Sequence, residues 1–595
     1  MGDSHRHAAR GRKAQHRWLR LVAIGASVAI IAAACGGGGG GGSSSSSSGG
    51  GSSSGGGDTG AKFTKPADEG KPQRGGKIIY GLEAETGGGW CLPGAQLAAG
   101  GIEVAVSLYD TLTAPAKASD GSVEYVPFLA ESVEPNDTYD QWTIKVRPNI
   151  KFHNGEPLNA DAVKQNLDAY RGQAPSSGPL FSFVFEQIND VVVVDDSTVQ
   201  VNMDGPWVGF DAFLWGTGRV GMVAPAQLND ANTCNRNLIG TGPYRMTSCT
   251  SNAQCGWTIN DKLVAEANPD YWRTDADGEK LPYVDEIEFR PVIDAQQRLN
   301  GLIGGELNVI HTTDGPTITE LRQDADSGEI NLLESDYEPE VSYTMLNTAK
   351  PPFDNETARL AATYAADPQE FIDVTQDGIV TRAVQPFGPD SPAYVDPEEL
   401  KFPQHNLEKA KQLVKKYEDE TGQDFSFSIL STTAPETVAL AQLAQSQLEA
   451  AGMTVTIDQV EQTQLINTAL GGDFQAVLWR NHPGGDPGTQ YVWWYSVTKA
   501  GAPNFVNFSK INDPDIDKVF KDGRANTNLE ERGKSYQELS KEFAKKVYNL
   551  WGWYTIWAFG AAKDVHGLYP PPNPDGEEAV IIASVQPTSG LWISK

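Results

Sequence analysis

Apolar and polar positions alternate with a period of two in several parts of the chain, and each such run predicts a strand with one buried face. Residues 77–80 open with a short apolar run, and residues 141–146 set Trp142, Ile144 and Val146 against polar partners. Residues 191–194 and 198–203 flank Asp195-Asp196-Ser197, the signature of a hairpin. Over residues 161–170 the spacing predicts a helix, with Asn159 as its cap. Further on, Phe425, Phe427 and Ile429 alternate, and Pro435 stands in the first turn of a helix carrying Leu440, Leu443, Gln447, Leu448 and Ala451 near helical spacing. Gly452 stops that helix, and Met453, Val455 and Ile457 alternate again, so a right-handed βαβ unit is expected. A second helix over 462–470 ends at Gly471-Gly472 and leads to a strand over 474–479.

This pattern locates a ligand site before any chemistry is considered. In open α/β sheets ligands sit outside the carboxyl ends of strands, where loops and helix N-termini converge. Two segments occupy such positions: Arg480-Asn481-His482-Pro483-Gly484-Gly485-Asp486-Pro487 and Ser431-Thr432-Thr433. Trp479, Tyr491, Trp493 and Trp494 offer amphipathic contact area near the first, and Trp90 follows the first strand beside Gly87-Gly88-Gly89.

The N-terminus follows another pattern. Six Lys or Arg precede residue 21 against the single acid Asp3, residues 21–34 carry no charge, and Cys35 follows Ala32-Ala33-Ala34. This is the layout of a signal peptide over 1–34, too short in its apolar part for the roughly 20 residues a spanning helix needs. Cys35 reads as the lipidated cysteine of a lipoprotein, although position −3 holds Ala32 where Leu is usual. Residues 36–60 are almost pure Gly and Ser, a tether with a root-mean-square reach of roughly 28 Å. The tether region spans 35–71, and the expected location is the outer face of the cytoplasmic membrane.

The chain as a whole is globular in composition: 39% apolar and 9% aromatic, with 14 Trp in 595 residues, more than one domain's worth of chain. Its net charge of −30 repels phosphate backbones and anionic headgroups, so nucleic acid is not an expected partner. In an oxidising compartment Cys91, Cys234, Cys249 and Cys255 form an even set with three connectivities open, of which Cys91–Cys234 with Cys249–Cys255 is expected. Zinc fits poorly, since no CxxC is present and no His stands near these cysteines.

No HExxH, GxSxG or GxxxxGK[ST] motif supports a zinc hydrolase, an α/β-hydrolase or a nucleotidase. Gly216-Thr217-Gly218-Arg219-Val220-Gly221 matches GxGxxG, but Pro225 follows too closely for the required helix, so a turn is expected. Asp275-Ala276-Asp277-Gly278 lacks the glycine of a calcium loop at its sixth position and also reads as a turn. Paired carboxylates for glycoside hydrolysis remain open in so acidic a chain.

Several stretches resemble the family of extracellular solute-binding proteins that includes the dipeptide, oligopeptide and nickel receptors of ABC importers. They are Arg74-Gly75-Gly76-Lys77, Tyr109-Asp110-Thr111-Leu112, Pro127-Phe128-Leu129-Ala130-Glu131-Ser132 and Val146-Arg147-Pro148-Asn149-Ile150-Lys151-Phe152-His153-Asn154-Gly155-Glu156-Pro157-Leu158. The last is the most specific, with Asn154 where Asp is commoner. Gly240-Thr241-Gly242-Pro243-Tyr244, Asn268-Pro269-Asp270-Tyr271-Trp272, Asn347 with Pro351-Pro352-Phe353-Asp354-Asn355, Glu408-Lys409-Ala410-Lys411 and Gly472-Asp473-Phe474 follow in the family's order.

The resemblance implies an α/β, bilobed periplasmic-binding-protein-like fold of class II, cluster C type, with an extra subdomain in the first lobe. Lobe I is expected over 72–111, 240–334 and 560–595, the inserted subdomain over 112–239 and lobe II over 335–559. The implied function is a substrate-binding lipoprotein that captures a small solute, a short peptide first, and delivers it to membrane permease subunits. The expected state is a monomer with no catalysis, cofactor or metal. A sugar or other small organic anion is the alternative guest, and an extracellular hydrolase the alternative class. Candidate ligand contacts are Trp90, Ser431, Thr432, Trp479, Arg480, Asn481, His482, Asp486 and Trp493. Peptide-binding members place an Asp shortly after the tryptophan corresponding to Trp479; here Asn481 and His482 stand there and Asp486 comes later. Arg480 is a candidate for bidentate pairing with a ligand carboxylate.

Overall fold

The computed structural model describes residues 69–85, 89–246, 256–481 and 484–595. The expected signal peptide, Cys35, the tether to residue 68, Cys249, Cys255 and His482 lie outside the described residues.

Two large mixed sheets organise the chain. In the first, Lys77–Leu82 lies between two parallel neighbours, Glu286–Pro291 and Val309–Thr312. Antiparallel strands extend it on both sides: Trp557–Ala562 and then Ile330–Ser335 beyond Val309–Thr312, and Lys262–Ala267 and then Tyr244–Met246 beyond Glu286–Pro291. The central strand has polar residues only at its first position, and Ile78, Tyr80 and Leu82 are buried, as a strand covered on both faces requires.

The second sheet runs in the order Thr381–Arg382, Asn549–Tyr554, Val341–Leu346, Ala476–Asn481, Ser426–Thr432, Thr454–Val460. It contains the expected βαβ unit: Ser426–Thr432 and Thr454–Val460 pair in parallel from Ser426–Thr454 to Thr432–Val460, joined by the helix Pro435–Ala450. That helix begins at Pro435, and its N-cap position, Ala434, makes no side-chain cap hydrogen bond. The helix Gln462–Gly471 ends at Gly472 in the left-handed region (φ 69°), where a side chain would be strained, and the chain turns into Ala476–Asn481.

A third, fully antiparallel sheet lies between the first strands in sequence, ordered Ala130–Pro135, Gln141–Val146, Thr198–Met203, Ile188–Val193. Its hairpin closes through Asp195-Asp196-Ser197, with Asp195 accepting from the Ser197 N–H at 2.8 Å. The helix Ala160–Tyr170 packs against it, capped by Asn159 accepting from the Ala162 N–H at 3.0 Å. Cys91 and Cys234 are joined in a disulfide that ties the segment after the first strand to this region across 143 residues of sequence.

The chain crosses between the two large sheets only twice among the described residues. It leaves the first sheet after Ser335, enters the second at Val341, and returns between Tyr554 and Trp557. The two crossing segments touch: the Thr555 N–H donates to the Glu340 carbonyl at 2.9 Å. This is a bilobed α/β fold with a two-segment hinge, the architecture in which one lobe swings against the other. Among the described residues no helix is long and apolar enough to cross a membrane.

Candidate functional site

Four strands point their carboxyl ends at one cavity of about 280 Å³. Lys77–Leu82 brings Glu83, Val309–Thr312 brings Thr312 and Thr313, Ser426–Thr432 brings Thr432, and Ala476–Asn481 brings Trp479 and Arg480. The first pair belongs to one sheet and the second to the other, so both lobes form the walls. A third wall comes from the antiparallel region through Leu180, Phe181, Val184, Phe213, Thr217 and Arg219.

The lobes are closed on each other. The Phe183 ring stacks on Tyr491 at 4.9 Å between centroids and 5° between planes, and the Arg524 guanidinium lies 4.9 Å from the Trp207 ring centroid. The Lys499 N–H donates to Glu186 at 2.7 Å, and the Tyr125 hydroxyl donates to the Gly484 carbonyl.

The predicted residues separate into two sets. Thr432, Trp479, Arg480 and Trp493 line the cavity. Trp479 packs edge-on against Phe508, which Trp493 also touches. Ser431 is fully buried and turns its hydroxyl to backbone carbonyls of Thr432 and Thr437. Asn481 accepts from the Tyr343 hydroxyl at 3.1 Å and donates to Gln490. Asp486 is clamped by Arg532 through two contacts of 2.6 Å. Trp90 is fully buried beside the disulfide, edge-on to Trp257. None of these four lines the cavity: each is held by the interior of the protein.

Arg480 also has partners within the protein. It contacts Glu83 at 2.7 Å, Glu340 in the hinge at 3.1 Å and the Thr313 hydroxyl at 2.5 Å, and its guanidinium lies 4.9 Å from the Trp557 ring centroid. Burial opposes its charge, but Glu83 and Glu340 outweigh that and hold its pKa above the ordinary value. Burial raises the Glu83 carboxyl, yet the charges of Arg480 and Arg298 leave it below the usual range. His311 accepts the Glu83 backbone N–H on Nε2 at 3.0 Å, and burial drives its pKa down to about 3, so it is neutral at physiological pH. An interlobe ion-pair network therefore occupies one side of the cavity.

Sequence reasoning passed over Glu83, Arg219, Arg298, Asp314 and Glu436, all of which line the cavity. Arg219 lies inside the GxGxxG-like run, which forms a turn with Gly216, Thr217 and Gly218 at φ 53°, 55° and 71°. No strand–turn–helix unit surrounds it, so the run is no dinucleotide site. The Asp275 segment is also a turn, its carboxylate accepting from the Asp277 and Glu279 N–H groups. Among the described residues no group of three or more His, Cys, Asp or Glu is placed to hold a metal ion.

Comparison with known proteins agrees with this architecture. A glutathione-binding protein of Pectobacterium atrosepticum is 28% identical over 350 residues, which is 58% of this chain and 63% of that protein's length. A di/tripeptide-binding protein of Pseudomonas aeruginosa is 25% identical over 452 residues, covering 72% of this chain and 80% of the relative. The oligopeptide-binding protein of Bacillus subtilis, solved with a nonapeptide, superposes with a TM-score of 0.73 at 20% identity over 88% of this chain and all of that one. Residues 124–502 match the family described as bacterial extracellular solute-binding proteins, family 5, and the chain belongs to that family.

Proposed function

We propose that this protein is the substrate-binding component of an ABC importer, capturing a short peptide between its lobes and handing it unaltered to a membrane permease. The observation that carries this reading is the cavity itself, walled by the carboxyl ends of strands from both sheets and so split between the two sides of the hinge. Its volume of about 280 Å³ stands at the lower end of ordinary small-molecule sites, about 300–1,000 Å³, which suits a guest of very few residues. Relatives named for glutathione and for di- and tripeptides support the same class of guest. Thr432, Trp479 and Trp493 supply the contact surface. Closure excludes water around the guest, and a guest that binds the closed form better shifts the population toward it.

Lipidation of Cys35 would hold the body at the outer face of the membrane, and a single body per guest suffices for delivery. The lobe limits that we assign are residues 72–111, 240–334 and the strand Trp557–Ala562 onward for lobe I, which moves the expected boundary at 560 back to the second crossing, with 112–239 inserted in it and the stretch between the two crossings for lobe II. Native mass spectrometry of protein purified from its own host tests the reading. The expected result is an intact small solute released on denaturation; a solute chemically converted during incubation would instead identify an enzyme.

A further inference from the structure

Six charged side chains among the described residues line the cavity, and four have work elsewhere. Glu83 and Arg480 pair across the lobes. Arg298 donates to the carbonyls of Val292, Ile293 and His311. Asp314 caps the helix Gly315–Ser327, accepting from the backbone and hydroxyl of Thr317. Two remain, Arg219 and Glu436.

Arg219 is 8% exposed, and its Nε and Nη2 both donate to one acceptor, the Leu97 carbonyl, at 3.2 Å. No carboxylate of the described residues lies within ion-pair distance of it; Glu340 acts on it only from farther off. Burial lowers its pKa to about 10, which leaves it charged at neutral pH. A buried guanidinium without a counter-ion is costly and calls for a partner from outside the chain. The backbone also shows a cost at this point. Thr217 holds a left-handed φ of 55° between two left-handed glycines, and a Cβ at Gly218 would stand 2.6 Å from Val106. Strain of this kind persists where the surrounding structure enforces it, and it clusters at ligand sites. The result here is a tight turn that lays both Thr217 and Arg219 against the cavity.

Glu436 stands in the first turn of the helix Pro435–Ala450, on lobe II, and has no hydrogen bond or ion pair to another described residue's side chain. Burial, with Asp314 and Glu83 nearby, raises its carboxyl to about 6 against the opposing pull of Arg298, so at pH 7 it is mostly ionised.

We infer that Arg219 binds a carboxylate of the guest and Glu436 its ammonium group, so that the site selects a zwitterion by one charge from each side of the cleft. This rests on the solute-capture reading and adds the residues that decide which solute fits. The inserted region thereby supplies a specificity residue, and closure is coupled to charge: each half of the site neutralises one end of the guest.

The test uses the full secreted chain stripped of solute and a pool of di- and tripeptides of Ala, Leu and Phe. Each is offered as the free acid, the C-terminal amide and the N-acetylated acid, with retention read by native mass spectrometry and affinity by calorimetry. The expected result is at least about tenfold tighter binding of free acids than of amides or acetylated forms, the effect of one charged hydrogen bond. Arg219→Gln should erase the acid-over-amide preference, and Glu436→Gln should erase the preference for free over acetylated amino ends. Equal binding of acids and amides by the unmodified protein, which needs no variant to fold, would overturn the inference while leaving solute capture intact. Retention of no pool member would remove the peptide reading, and the inference with it. Arg219→Lys, which keeps the charge but not the fork, should fall between.

Discussion

Replacing Glu83 with Gln removes a charge from the interlobe network while keeping its shape. The Glu83–Arg480 contact is 2.7 Å long, with side chains 18% and 26% exposed, so it is largely sheltered from solvent screening. A hydrogen bond to a charged group contributes about 1.5–3 kcal/mol net, so the closed-to-open ratio of the empty protein should fall roughly 10- to 150-fold. Arg480→Gln should do more, because it also strips Glu340 of a 3.1 Å partner and Trp557 of its cation; removing one member of a buried pair costs about 3–5 kcal/mol. The double variant should lose less than the sum of the two, since each single change already breaks the shared contact. Small-angle scattering of the unliganded proteins reads the opening directly. An expanded Glu83→Gln protein that contracts on adding solute is expected. If the unmodified protein is already as open as Glu83→Gln, or if the two effects simply add, the network does not hold the lobes together.

Two further outcomes follow from groups outside the cavity. Asp486→Asn leaves Arg532 buried with half its bidentate partner and should cost about 3–5 kcal/mol of stability by thermal melting, with solute affinity unchanged once folded. Glu338 lies in a crossing segment, 7% exposed, and burial with Asp390 and Asp486 nearby raises its carboxyl to about 8. The unfolded chain ionises near the ordinary value of 4.5 while the folded chain resists, so the penalty is absent below that pH and grows up to about pH 8. Glu338→Gln should therefore stabilise the protein by about 3 kcal/mol at pH 7 and by nothing at pH 4; a gap independent of pH would show that ionisation is not the cause.

The strands and the βαβ unit of the second sheet were readable because their side-chain periods are strict and their flanks carry turn residues. The site was readable only in position. The rule that ligands gather at carboxyl ends of strands reached Thr432, Trp479, Arg480 and Trp493, but it names both faces of a strand end, and successive side chains diverge. Thr432 reaches the cavity while Ser431 is interior. Asp486 looked free because Arg532, its partner, comes 46 residues later and no local pattern announces it. Arg219 and Glu436 were invisible for the opposite reason: what marks them is the absence of an ion-pair partner among the described residues, a property only three dimensions reveal. The left-handed turn at Gly216–Gly218 did leave a trace as the glycine-rich run, which looked like a different motif.

Between its two crossings the chain from Val341 to Tyr554 is one uninterrupted stretch, and those two residues face each other in register at the hinge. A piece of polypeptide whose ends leave side by side can be cut out and replaced like a cassette. Exchanging it for the matching stretch of a relative would renew the wall that holds Glu436, Trp479 and Trp493 while retaining the wall that holds Arg219. Guest preference in such chimeras would then be inherited in halves.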